Sequence, residues 1–158
     1  MSWHRGFTLI ELIMVLILIG ILAFITMPRY GDKGAELNSQ AHQLANDLRY
    51  VQSLSMTQGQ RYRININVGT NTYQLTDQAG APIPHPATGT TAPIGFKGGV
   101  ALQSTSHGFL VFDGKGKPYT DAASPGTPLA GNASVTLSAD GQARAVQISP
   151  ETGRVVVP

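Results

Sequence analysis

One run constrains this chain more than any other. Residues 7–27 form an unbroken apolar stretch whose only ionisable member is Glu11. A helix of that length covers roughly 31 Å at 1.5 Å per residue, the depth of a bilayer's hydrocarbon. The stretch therefore predicts a transmembrane helix. His4 and Arg5 precede it, which favours a cytoplasmic N-terminus and an external C-terminal part, while Arg29 and Lys33 behind it weaken the bias. A carboxylate at such a depth is costly. It must find a partner or take up a proton, so Glu11 calls for a reason.

An ordinary secretory signal carries its small-residue cleavage site after the apolar region. Here the small residue, Gly6, stands before it. Cutting after Gly6 would remove a short basic leader and keep the whole apolar helix. The run Arg5-Gly6-Phe7-Thr8-Leu9-Ile10-Glu11 resembles the type IV prepilin signature. That resemblance implies that a membrane-embedded prepilin peptidase cuts between Gly6 and Phe7 and that Phe7 becomes N-methylated. It implies that Glu11 pairs with the N-terminal amine of a neighbouring subunit during filament assembly. Pro28 matches the family's helix-bending proline. The expected organisation is a leader at 1–6, a transmembrane and assembly helix at 7–30, and a periplasmic domain at 31–158.

Pro28 removes a backbone donor and disfavours helix at Met27, and Gly31 and Gly34 follow closely. A kink or partial unwinding is expected over 27–34, with helix resuming over 35–58. Leu37, Ala41, Leu44, Leu48, Val51 and Leu54 recur at spacings of three and four, an apolar stripe suited to packing on a sheet. Asn38, Gln43, Asp47, Arg49 and Gln52 occupy the opposite side, and Gly59 is the expected stop.

From Arg61 the period becomes two. Strands are expected at 61–68, with Tyr62, Ile64, Ile66 and Val68 on one face, and at 72–76 after a Gly69-Thr70-Asn71 turn. Further strands are expected at 99–104, 108–112, 133–138, 143–149 and 153–157. Turns are expected at Asp113–Lys117, at Ala139-Asp140-Gly141 and at Ser149–Gly153, and loops rich in Pro and Gly at 79–95 and 118–131. The fold class is α+β: a long N-terminal helix, half transmembrane and half amphipathic, kinked near Pro28 and packed on antiparallel β-sheets.

The runs GFLVFDGKGKP and VTLSADGQARAVQISPETGRVVV are similar to the H-type minor pseudopilins and T-type minor pilins, and some minor pilins of the mannose-sensitive haemagglutinin pilus look alike. The similarity implies a structural subunit of a type II secretion pseudopilus or a type IV pilus. It would sit in the bacterial inner membrane as a single-pass protein with a periplasmic domain, and in the assembled filament. Its partners would be other pilins or pseudopilins, the prepilin peptidase and the inner-membrane assembly platform. T-type minor pilins are thought to bind DNA through a Gly-Arg-x-Arg motif. Here that position reads Gly153-Arg154-Val155-Val156, which leaves Arg154, with Arg144, as the DNA-contact candidates and a DNA- or surface-binding minor pilin as the alternative reading.

Composition agrees with a structural role. Lys and Arg exceed Asp and Glu by 11 to 9, too small an excess to mark a nucleic-acid binder by itself. With no cysteine, disulfides, thiolate metal sites and Cys nucleophiles are excluded. His4, His42, His85 and His107 are scattered, and no nucleophile elbow or metal-ligand spacing accompanies them. No catalytic residue, metal or cofactor is expected.

Overall fold

The computed structural model describes residues 8–26 and 33–158, which fall into two units. The first holds one helix, α1 (Leu9–Thr26). Thr8 caps it: the Glu11 amide donates to the Thr8 hydroxyl at 3.3 Å and to its carbonyl at 3.1 Å. Its 18 residues cover about 27 Å, and no helix among the described residues is by itself long and apolar enough to cross a membrane. The ends of the expected 7–30 segment, with Pro28 and its kink, lie outside the described residues.

The second unit opens with α2 (Lys33–Gln58). Helix was expected only from residue 35, with unwinding before it. Instead Lys33 and Gly34 are helical, and Lys33 reaches Asp140 at 3.3 Å. The apolar stripe is buried as expected at Leu37, Ala41, Leu44, Leu48 and Val51, with Leu54 packed on its rim.

Two antiparallel sheets enclose this stripe. The first runs β3-β2-β1-β5-β6, built from β1 (Tyr62–Asn67), β2 (Thr72–Asp77), β3 (Ile94–Gly95), β5 (Phe109–Phe112) and β6 (Pro118–Tyr119). The second runs β4-β7-β8-β9, built from β4 (Ala101–Thr105), β7 (Ala133–Ala139), β8 (Gln142–Ile148) and β9 (Val155–Val156). Alternation fixes each register. Ile64 lies opposite Leu75 and Leu110, and Val135 opposite Val146, so the aliphatic members of each row enter one core with α2. The Asp140-Gly141 hairpin has φ of 47° and 77°, the pair of positive angles that a tight β7–β8 turn needs.

Both expected loops contain structure that composition hid. β3 lies at the end of 79–95, with a Thr76–Pro82 bridge near its start, and β6 and a Tyr119–Pro128 bridge lie in 118–131. Two residues cannot show a period, so neither strand could be read from alternation. Val68 was expected on the inner face. It is 42% exposed, because β1 ends at Asn67 and Val68 already belongs to the turn. The expected turn from Ser149 to Gly153 forms, closed by Gly153 N–H donating to the Ser149 carbonyl at 3.0 Å, and the strand expected at 153–157 is only the two residues of β9.

Candidate functional site

α1 carries one site residue. Glu11 stands in its first turn, and around it the large apolar side chains from Leu9 to Leu22 are 41–77% exposed. A helix that is apolar on every side requires a partner phase, either lipid or other helices. Gly6 and Phe7 lie outside the described residues.

The polar side of α2 differs from the expectation of a solvated face. Asp47 is 5% exposed. Both of its carboxylate oxygens are taken: Tyr73 O–H donates to Oδ2 at 2.5 Å, and His85 Nε2 meets Oδ1 at 2.9 Å. The Ala87 amide donates to His85 Nδ1 at 3.2 Å, which leaves Nε2 as the protonated nitrogen and the donor to Asp47. Burial first, then the hydrogen bond to Asp47 and its charge, holds the Tyr73 hydroxyl well above the usual phenol range. This buried His–Asp pair pins the 78–93 loop to the helix. The sequence carried one signal of it. His85 stands between Pro84 and Pro86, and prolines on both sides hold the backbone extended and aim the ring.

The other polar residues of α2 hold backbone. Gln40 donates to the Lys97 carbonyl at 2.8 Å and accepts from its amide at 3.0 Å. Gln52 donates to the carbonyls of Gly116 and Thr152, both at 2.8 Å. Arg49 donates to the Val155 carbonyl at 2.8 Å. Between α2 and the 88–97 segment runs a groove of about 310 Å³, lined mainly by Ser39, Gln43, Thr88, Thr90 and Ile94.

Arg144 and Arg154 are not brought together. Arg144 is half-buried and donates to Asn38 Oδ1 at 2.7 Å, near the start of α2. Arg154 is exposed, and its carbonyl accepts from Ser149. The five residues from Arg144 to Ser149 span about 17 Å of extended chain. Arg49 meets the edge of β9 at the Val155 carbonyl, and because Val155 is buried and Arg154 exposed, the Arg154 side chain leaves the opposite face of the strand. Elsewhere the charged loops are self-contained. A hydrogen bond to Glu151 raises Lys117, and hydrogen bonds from Thr127 hold Asp121 below the usual carboxylate range. Among the described residues no group of three or more His, Cys, Asp or Glu could hold a metal ion.

Comparison with known proteins places this architecture. The profile of the family described as type II transport protein GspH matches residues 40–153, and that of the prokaryotic N-terminal methylation motif matches residues 4–27. No curated protein matches the chain. Two crystal structures of the type IV minor pilin FimU from Pseudomonas aeruginosa share the fold. In one crystal form the TM-score is 0.55 at 19% identity, covering 80% of this chain and 90% of that one. In the other it is 0.53 at 17% identity, covering 77% and 92%.

Proposed function

Because the chain belongs to the family described as type II transport protein GspH, we propose that it is a structural minor pilin or pseudopilin subunit, anchored by α1 in the membrane and assembled through α1 into a filament. The observation that carries this reading is the conjunction, on one chain, of the methylation motif over residues 4–27, a helix apolar on all sides, and the family's domain over 40–153. In this reading prepilin peptidase cuts between Gly6 and Phe7, Phe7 is N-methylated, and an inner-membrane platform feeds the cut subunit into a type II secretion pseudopilus or a type IV pilus. The single-pass protein keeps its N-terminus cytoplasmic and its 33–158 domain periplasmic.

Glu11 has a defined task here. Cutting frees an amine on Phe7, and a carboxylate four residues further along can meet the amine of a neighbouring subunit once both leave lipid. The pair satisfies two groups that are each costly alone in an apolar phase. Mass spectrometry of the membrane-extracted protein tests the processing step. The expected N-terminus is Phe7, heavier by one methyl group, and Gly6→Val abolishes it. An intact Met1 terminus in cells that hold the peptidase refutes the processing.

A further inference from the structure

The geometry points to the groove between α2 and β3 as the seat of an extended peptide segment of another protein, one that carries a lysine or arginine side chain. The site lies wholly in the 33–158 unit and does not depend on the filament reading. Phe96 N–H donates to the Asn71 carbonyl, and Tyr73 lies opposite Ile94 in the same register. Residues of an antiparallel pair that exchange bonds alternate with residues that do not, so Gly95 turns its N–H and C=O away from β2. Lys97, two residues on, faces the same way, and Gln40 of α2 takes both its N–H and its C=O. Gln40 thus does at Lys97 what a residue of a neighbouring strand would do. At Gly95 that place is open. Among the described residues β3 pairs with β2 alone, no other backbone bond reaches Gly95, and Gly95 lines the groove.

The walls are fixed before a ligand arrives, which lowers the cost of binding. One wall is α2. The other is the turn from His85 to Thr90, closed by His85 N–H on the Thr90 carbonyl and Gly89 N–H on the His85 carbonyl, both at 2.8 Å, while Asp47 holds the His85 ring. Ser39, Gln43, Thr88 and Thr90 are exposed, so the groove opens to solvent. Its volume of about 310 Å³ is at the small end for a ligand site. It has room for a short stretch of extended chain and none for a helix, which is about 10–12 Å across.

Charge selects the side chain of the ligand. Glu36 and Lys97 both line the groove, and no ion pair joins them. Glu36 is held in place. Gln40 donates to its Oε1 at 2.6 Å, and its stem lies so near Gly98 that a Cβ there would come within 2.7 Å of Cγ. Its Oε2 is left for a ligand. Lys97 is exposed on a flexible stem and can turn to water. Lys33, in the preceding turn of α2, is engaged by Asp140. The held carboxylate therefore sets the preference, and it favours a cation. Main-chain bonds at Gly95 give the attraction and Glu36 the specificity, as in other cases of strand addition.

The probe is a hexapeptide of alternating threonine and valine with one central lysine and blocked ends. The target is the full chain in detergent micelles, isotope-labelled for NMR. The Gly95 amide resonance should shift downfield and saturate as peptide is added. The same peptide N-methylated at every bond should bind about tenfold more weakly. Gly95→Pro should also weaken the parent peptide several-fold. That substitution removes an N–H without a partner, at a strand edge where proline is tolerated, so the thermal midpoint should hold. Exchanging the lysine for norleucine should cost up to about fivefold. Glu36→Gln, which can still accept from Gln40, should erase that difference. An unmoved Gly95 amide, or full-strength binding of the N-methylated peptide, overturns the inference, and the second result decides even where Gly95→Pro fails to fold. Tighter binding of a glutamate peptide than of the lysine peptide overturns the choice of a cation. Shifts at Gly95 that grow with protein concentration and need no peptide make a second copy the occupant, and the peptide assignment falls.

Discussion

Asp47 shows how much a single residue can hide. Its place in the helix gave no warning, because polar residues on the far side of an amphipathic stripe are usually solvated. Its environment appears only once the loop bearing His85 folds over it. Replacing Asp47 by Leu strands the Tyr73 O–H and the His85 N–H, each at about 1–3 kcal/mol. The 33–158 unit should therefore lose several kcal/mol in urea denaturation, whereas Asn46→Leu one position earlier, on the exposed side, should stay within about 0.5 kcal/mol. A pH prediction follows from Tyr73. Its folded-state pKa lies above the ordinary value, so above about pH 10 the unfolded chain releases this proton first and holds fewer protons. Stability from this group is complete below pH 10 and declines as pH rises beyond it. Tyr73→Phe should be less stable at neutral pH and should flatten the alkaline decline, measured as the urea midpoint against pH.

Among the elements, those with a long period were legible and those set by contact were not. The stripe from Leu37 to Val51, the alternation of β1 and the Asp140-Gly141 turn could each be read because their signals are local. β3 and β6 have two residues each, and their ends are decided by partners far away in sequence. The same holds for the site. Glu11 announces itself as a charge in an apolar run, whereas the bond from Arg49 to the Val155 carbonyl joins residues far apart in sequence. Gly153 is a second case of contact over composition. It has φ of 63°, and a Cβ there would meet the Gly116 carbonyl, the Gln52 amide and the Phe112 ring. The turns after β5 and after β8 close on α2 at this point. Gly89 has φ of 68° with open space around it. Gly89→Ala should thus cost only the left-handed strain, about 1–2 kcal/mol. Gly153→Ala should cost clearly more, and equal losses for the two in thermal denaturation would show that the close approach does not matter.

Across the whole molecule the question is which surface is left for assembly. Side chains and a loop segment occupy part of each sheet edge among the described residues. Gln40 pairs with the backbone of Lys97 beyond β3. Asn71 donates to the Val100 carbonyl and accepts from the Leu102 amide along β4. The 127–129 segment covers β6, and Arg49 takes the Val155 carbonyl of β9. These bonds hinder strand addition, the usual hazard of open edges, and the proposed reading gives polymerisation to α1. Removing its one charge separates insertion from assembly. Glu11→Leu abolishes the cost of a carboxylate in lipid, so insertion and cleavage should be normal or better. It also strands the buried amine of a neighbouring Phe7, at about 3–5 kcal/mol, which at its upper end is more than a thousandfold in an association constant. Glu11→Asp keeps the charge with a shorter reach and should fall between. The measurement compares cleaved, membrane-inserted subunit with subunit recovered in sheared or cross-linked filaments. Loss from filaments with insertion intact supports the pairing, and incorporation of Glu11→Leu at the wild-type level refutes it.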